Sequence, residues 1–413
     1  MNIVVASLFV LLIAGQAVYV ALYLNHRRRL APYPKSYHPK AAVILCLRGK
    51  DPTLSHCLNA ILKLDYPDFE LHTVFDSPDD PALPVVQELQ TSSKLPIHVH
   101  FVENVSGTCG MKCEALRTAI TQLPADVEAI ALVDADSIVA PDWLSEIIAP
   151  LQDQSVGVVT GDRWFEPDSN MASIARAVWN AAAIVQMNLY HIAWGGSLAF
   201  RRDLVKQLNL LEVWKTTFCE DTVLVDLLKN NGLSVVRPRN VVVYNRETIA
   251  WKNLHFWIAR QLLTVRLHNA KWPFVFGHGL LVGLTFLTSL VLMGIDLALE
   301  NWLQAVGLFS IIALCELTNY LLIVLIAREN INILSSRTAI RSPSSIAKFW
   351  MRWLIAVPAT QITHFLSTLR ATTMKYVVWR GIEYEVTPKK VRLINYRPFT
   401  DRNAAEQEDS SVD

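Results

Sequence analysis

The chain has 413 residues, 52% hydrophobic and 18% charged, with 38 basic side chains against 37 acidic ones for a net charge of +1. That composition is too apolar for an ordinary soluble protein and too evenly charged to bind nucleic acid by bulk electrostatics. It leaves room for one or two domains and puts part of the chain in lipid.

The first predicted element is the apolar stretch Ile3 to Leu24, broken only by Gln16 and small residues. Roughly 20 residues cross a bilayer core, so it can span. A cleaved signal peptide is the competing reading, from "AGQA" after Ile13, but no basic region precedes the stretch, and "RRR" (Arg27 to Arg29) follows it. By the positive-inside rule that cluster stays cytoplasmic, which places the N-terminus outside and the following domain in the cytosol.

Lys40 to about Asn245 alternates β-rich runs with helix-period segments, an α/β pattern. "AAVILCLRG" reads as a buried strand, followed by a helix with Leu54, Cys57, Leu58, Ile61 and Leu62 on one face. "FELHTVFD", a Pro-led helix near Val85 to Leu89, "IHVHFVEN", a helix carrying Leu116, Ala119, Ile120 and Leu123, and "EAIALVDAD" come next. Repeated strand-helix units imply a mostly parallel sheet with right-handed crossovers. Six cysteines are scattered through the chain (Cys46, Cys57, Cys109, Cys113, Cys219 and Cys315). Only Cys109 and Cys113 are close, and a C-x3-C pair with no second pair is weak evidence for zinc. Reduced thiols in a cytosolic domain are the better reading.

In such sheets ligands bind at the carboxyl ends of the strands. Asp76, Asp79 and Asp80 follow the second strand in "FDSPDDPA", and Asp134 and Asp136 close the fourth in "LVDADS". Strand residues i and i+2 share a face, so the last two carboxylates can converge on one ligand. Two close carboxylates repel unless a cation joins them, and Mg2+ or Mn2+ suits hard oxygen donors; two harmless loop aspartates are the plain alternative. Downstream lie "WGGSLAFRR" and "FCEDTVLVDLL", in which Glu220 and Asp221 open a helix with Val223, Leu224 and Leu227 facing inward. Helix capping alone also explains acidic residues at that position.

In "WKNLHFWIARQLLTVRLHNAKW" the residues Trp251, Leu254, Ile258, Leu262 and Val265 form an apolar stripe, with Lys252, Arg260 and Arg266 around it. That pattern predicts a helix lying in the membrane surface over 248–272. Two further spans are predicted, Phe274 to Met293 outward and Trp302 to Ile326 returning. Glu316 within the second is read first as a helix-to-helix hydrogen bond, with a functional charge as the alternative. Trp353 to Leu369 carries Pro358, Gln361, Thr363 and His364 and has basic residues on both sides, including Arg341, Lys348, Arg352, Arg370 and Lys375, so it reads as interfacial or re-entrant. Residues 401–413 read as a disordered tail.

The order of these pieces, with "DYPDFEL", "GMKCEAL" and "VVWRGIEYEV" near Tyr384, resembles membrane-bound family 2 glycosyltransferases of the GT-A fold, and most closely their ceramide glucosyltransferase-like branch. The resemblance implies a cytosolic GT-A domain over 40–247 between an anchor (1–25) and two later membrane helices (273–327), followed by an interfacial segment over 328–400. It implies a nucleotide contact for Asp76, with Asp79 and Asp80 nearby, and places Lys112 near the diphosphate. Asp134 and Asp136 match the metal-binding D-x-D, Asp221 the catalytic base, and Glu220 its partner. Gly195, Gly196 and Ser197 match the acceptor loop. The family's (Q/R)-x-x-R-W motif stands here as Trp257, Ile258, Ala259, Arg260 and Gln261, retaining only Arg260 for the pyrophosphate. The acceptor-side role of Trp257 therefore stays open, and Arg266 is an alternative cation. The implied activity is inverting transfer of a sugar from a nucleotide-sugar such as a UDP-hexose to a ceramide- or diacylglycerol-like lipid. The implied setting is the cytoplasmic face of a bacterial plasma membrane or a eukaryotic endomembrane. A processive polysaccharide synthase and an inactive membrane-anchored binding protein are the alternatives.

Overall fold

A computed structural model describes residues 2–338 and 346–400. Helix α1 (Asn2–Arg29) leads into β1 (Ala41–Leu47), α2 (Leu54–Ile61), β2 (Phe69–Phe75), α3 (Leu83–Ser92), β3 (Ile97–Phe101), α4 (Met111–Thr121), β4 (Ala129–Val133) and α5 (Trp143–Ile148). The chain continues through β5 (Val156–Thr160), β6 (Asp162–Phe165), α6 (Met171–Leu189), β7 (Ser197–Arg201), α7 (Asp203–Gln207), α8 (Leu210–Trp214), α9 (Leu224–Asn230), β8 (Ser234–Val236) and β9 (Val242–Asn245). It ends in α10 (Trp251–His268), α11 (Trp272–Ala298), α12 (Trp302–Arg337), α13 (Ile346–Thr373), β10 (Tyr376–Trp379), β11 (Ile382–Thr387) and β12 (Lys390–Asn395).

Seven strands form one sheet in the order β3-β2-β1-β4-β7-β5-β8. Only β7 runs against its neighbours, pairing antiparallel with β4 and β5. The fold is thus α/β with a mixed, mostly parallel sheet. Central β1 is apolar throughout because both of its faces are covered. Val43 and Leu45 face one core, shared with Leu54, Leu58 and Ile61 of α2 and with α5. Ala42 and Ile44 face the other, shared with Leu116, Ala119 and Ile120 of α4. Strands β6 and β9 pair separately, and β10, β11 and β12 form a third, antiparallel sheet.

Among the described residues, three helices are long and apolar enough to cross a membrane: α1 from Val4, α11 and α12. Helices α1 and α12 run beyond the predicted spans, to Arg29 and Arg337. Glu316 of α12 accepts a hydrogen bond from Gln361 Nε2 of α13 at 3.2 Å, as the helix-to-helix reading expects.

Several elements differ from the sequence expectation. The stripe of α10 does not face outward: Leu254, Ile258 and Leu262 are buried, in a cluster with Ala175 of α6, Val275 of α11 and Ala371 of α13, while Trp251 is exposed. Protein surface has taken the place assigned to lipid. Arg266 donates to the carbonyls of Thr372 and Met374 at the end of α13, where a cation offsets the helix's free carbonyls, so it does not serve the diphosphate. The segment around Pro358 is one unbroken helix, α13, without the return loop of a re-entrant segment. Its predicted flanking residue Arg341 and the tail 401–413 lie outside the described residues. Helix α6 and the sheet β10–β12 were not anticipated. All six cysteines are free, and Cys109 Sγ donates to Glu114 Oε2.

Candidate active site

The carboxyl ends of β1, β2 and β4 open into a cavity of about 960 Å³. Strand β4 ends at Val133, and the turn after it presents Asp134 and Asp136 to that cavity. Lys112, one residue into α4, reaches Asp134 Oδ1 and Glu220 Oε1 at 2.6 Å each and the Gly195 carbonyl at 3.3 Å. Burial works against its charge, but Asp134 and Glu220 outweigh burial and hold the ammonium well above its usual range. Burial pushes Glu220 up to about 6, with Lys112 opposing.

Among the described residues Asp136 has no cationic partner of this kind; Ser137 Oγ donates to it at a long 3.4 Å. Burial first, then Asp134 and Glu247, push its carboxyl up to about 7, against the pull of Arg163. Such a raised carboxyl beside a second carboxylate lacks a positive charge. The hard oxygen donors of Asp134 and Asp136 therefore fit a divalent ion such as Mg2+ or Mn2+.

Glu220 and Asp221 lie in the turn just before α9, which starts at Leu224 rather than around them. Asp221 Oδ2 accepts the Gly195 amide at 2.7 Å, and Oδ1 accepts from the Thr222 amide and Cys219 Sγ. Those bonds tie the turn to the "WGG" loop and leave Asp221 on the cavity wall. A Cβ at Gly195 would land on Glu220 Oε1, and one at Gly196 on Asp134 Oδ2 and the Trp194 ring, so both positions must be glycine for loop and carboxylates to meet. Ser197 is fully buried, its Oγ accepting from Trp143 Nε1 at 2.8 Å. It lies behind the cavity as the first residue of β7, not on its wall.

At the other end, Asp76 pairs with Arg48, whose guanidinium also donates to the carbonyls of Arg380 and Arg397 and stacks on Tyr396 and Phe399. Asp80 is buried behind this corner, where its carboxylate accepts the amides of Gly49 and Ala82 and shapes the loop. Asp79 is exposed and off the cavity wall.

Among the described residues seven arginines line the cavity: Arg48, Arg163, Arg176, Arg246, Arg260, Arg370 and Arg380. Arg260 of α10, lowered to about 10 by burial, makes no ion pair among the described residues and lies over the Trp379 ring at 5.7 Å. Arg163 of β6 likewise has no carboxylate partner at ion-pair distance; its guanidinium lies over Phe165, Trp194 and Trp257. Arg380 sits in the β10–β11 turn, where Arg380 and Gly381 both have positive φ, and pairs with Asp51 at 3.0 Å. Of these, sequence reading assigned only Arg260 to the site. Arg163, Arg380, Arg48 and Glu247 are single charges without a period, and the "RG" steps at 48 and 380 were the faint signal.

Helices α6, α10 and α11 add apolar side chains to the lining, beside polar Arg176, Asn180, Gln186 and Gln261. Trp179, Ala183, Ile184 and Met187 of α6 join Trp257 and Val265 of α10 and Val275 of α11. Trp257 packs edge-on to Trp179 and Phe165.

Residues 8–391 match the family model described as Glycosyl transferase family 21. The chain belongs to glycosyl transferase family 21. That is the ceramide glucosyltransferase family, so this family 21 chain is a nucleotide-sugar glycosyltransferase, as its motifs implied. Among solved structures it is similar to a mannosyltransferase, PcManGT from Pyrobaculum calidifontis, in complex with GDP-Man and Mn2+. The two share 18% identity over 89% of this chain and 99% of that one, with a TM-score of 0.48. It is also similar to S. aureus TarS 1-349 in complex with UDP-GlcNAc, at 12% identity over 87% and 100% of the chains and a TM-score of 0.37. At those scores neither likeness bears on the chemistry of this family 21 chain.

Proposed function

We propose that this transferase moves a hexose, with inversion, from a UDP-sugar to the hydroxyl of a ceramide- or diacylglycerol-like lipid at the cytoplasmic membrane face. The observation that carries the reading is that one cavity brings the carboxylates and arginines of the sheet end together with apolar side chains of α6, α10 and α11, among them Trp179, Ile184, Met187, Trp257 and Val275. A lipid hydroxyl can reach the charged end while its chains stay against those side chains and the membrane helices beside them.

In this reading Asp76 and Arg48 hold the base and ribose. Lys112, Arg163, Arg260 and Arg380 face the diphosphate, where fixed cations stabilise the charge that builds on a leaving group. Asp134 and Asp136 would hold Mg2+ or Mn2+, which would supply Lewis-acid stabilisation of the leaving group. Asp221 takes the proton of the attacking hydroxyl; the Gly195 amide and Thr222 amide fix its carboxylate, and Glu220 with Lys112 braces the turn. The anomeric carbon–oxygen bond to the diphosphate breaks as the bond to the lipid oxygen forms.

The test is turnover of radiolabelled UDP-hexoses by the purified chain in lipid extract. A single-sugar glycolipid supports the reading, a growing polymer favours a polysaccharide synthase, and no product overturns it. For the membrane side, a cysteine at exposed Ser335 is expected to resist impermeant thiol reagents in intact cells. Labelling from outside reverses the assignment.

A further inference from the structure

Far from the cavity, four titratable residues gather on one face of the edge pair β2–β3. Glu70 and His72 are i, i+2 neighbours on β2, His98 and His100 on β3, and the parallel register sets His72 beside His98. Glu70 Oε2 lies 3.3 Å from His72 Nε2 and 3.2 Å from His98 Nε2. These three ligand atoms lie within 4.8 Å of one another. Tetrahedral zinc with bonds of about 2.0–2.1 Å requires ligand atoms about 3.3 Å apart, which is the spacing of both pairs.

The hydrogen bonds behind the cluster set the tautomers. Gln122 Oε1 is 2.7 Å from His100 Nδ1, so that nitrogen carries the proton and His100 Nε2 accepts. His100 Nε2 is 2.9 Å from His72 Nδ1, which must then be the donor. His72 is left with a lone pair on Nε2, aimed at a carboxylate oxygen. Two facing lone pairs repel unless a cation lies between them.

We propose that Glu70, His72 and His98 bind a zinc ion that ties edge strand β3 to β2, with Gln122 and His100 as its positioning residues and solvent as the fourth ligand. The His72 and His98 rings stack at 4.6 Å and 17°. Bringing both nitrogens in line with one ion needs a tilt, which His98, 44% exposed, is free to make. The fourth position opens on the same exposed side. Lys40 neutralises the other oxygen, Glu70 Oε1, at 2.5 Å and is itself paired with Asp126, so the carboxylate can ligate through Oε2 alone. The nearest member of the D-x-D site belongs to a different strand end, so the two sites are separable by mutation.

The full chain, purified in detergent and stripped by chelator, is titrated with zinc chloride against a colorimetric chelator and then with Co2+. One equivalent of zinc is expected, with the visible absorption of four-coordinate Co2+, and both should survive Asp136→Asn. His98→Ala, at a half-exposed position, should abolish that equivalent, and Gln122→Leu, also exposed, should weaken it by up to about 10-fold, because it frees His100, the partner that orients metal-bound His72. No tight zinc in the wild type, or zinc uptake unchanged by His98→Ala, overturns the site; the first result would mean that the histidine chain runs in the opposite sense, with His72 Nε2 donating to Glu70.

Discussion

Arg27, near the end of the first apolar helix, and Asp162, the residue before Arg163, form an ion pair in which only 1% of either side chain is exposed. Arg237 holds the other oxygen of Asp162 at 2.7 Å, and Arg27 also donates to the Arg239 carbonyl at 2.6 Å. The first apolar helix is thereby fastened to the strand that carries a cavity arginine. Arg27→Gln leaves Asp162 with one cation instead of two. Breaking a buried pair costs about 3–5 kcal/mol, and the lower end applies because Arg237 remains. Thermal unfolding in detergent should show the loss, and Asp162→Asn in the same background should recover part of it.

Arg163 and Arg260 lack carboxylate partners at ion-pair distance among the described residues, so their charges are available to an anion. Removing one hydrogen-bonding charge costs about 1.5–3 kcal/mol. Arg163→Ala and Arg260→Ala should therefore each weaken UDP binding about 10- to 100-fold by calorimetry. Arg266→Ala, which releases only the end of α13, should leave UDP affinity as it was.

Arg380 needs a conservative test because its φ is +50°. Asparagine tolerates that backbone, so Arg380→Asn removes charge without straining the turn. About tenfold weaker UDP binding is the expected result, with some loss of melting temperature because the buried Asp51 carboxylate loses its Arg380 ion pair. Wild-type affinity would make the hairpin a wall and nothing more.

Asp136 gives a pH dependence. Its folded-state value of about 7 lies above the ordinary carboxyl value of about 3.9. A raised carboxyl favours the fold when protonated, so the metal-free chain should lose stability as pH climbs through that window, and Asp136→Asn should abolish the loss. Metal requires the ionised form, so Mn2+ affinity should rise about fivefold from about pH 6 to about pH 7, about twofold more by about pH 8, and then level off. Melting curves with and without Mn2+ check both signs.

Asp221→Asn keeps shape and removes the proton acceptor. kcat should fall by at least ~10² while UDP-sugar affinity survives. Asp136→Asn should instead weaken nucleotide binding in Mn2+. Normal turnover in Asp221→Asn would transfer the base role to Glu220.

The spans, the strands and the D-x-D pair were legible without coordinates because each depends on neighbours in sequence. A run of apolar residues suffices for lipid and a continuous apolar strand for a sheet buried on both faces; the D-x-D pair was placed at the end of the fourth strand, but its carboxylates stand in the turn after Val133 and not on the strand face that i, i+2 spacing assumed. The same local logic placed Lys112, Asp76 and the "CEDT" turn near one another only through a family resemblance. Other decisions needed the fold. The α10 stripe could face lipid or protein equally well, and helices α6 and α13 settled it by supplying an apolar surface to cover it. Arg266 and Arg260 are both cations of one helix, yet one caps α13 while the other faces the cavity. Arg48 and Arg380 lie 332 residues apart and meet at one corner, as do Arg27 and Asp162 across 135. A charge acts through whatever stands within a few ångströms, and for these residues chain folding alone determines what that is.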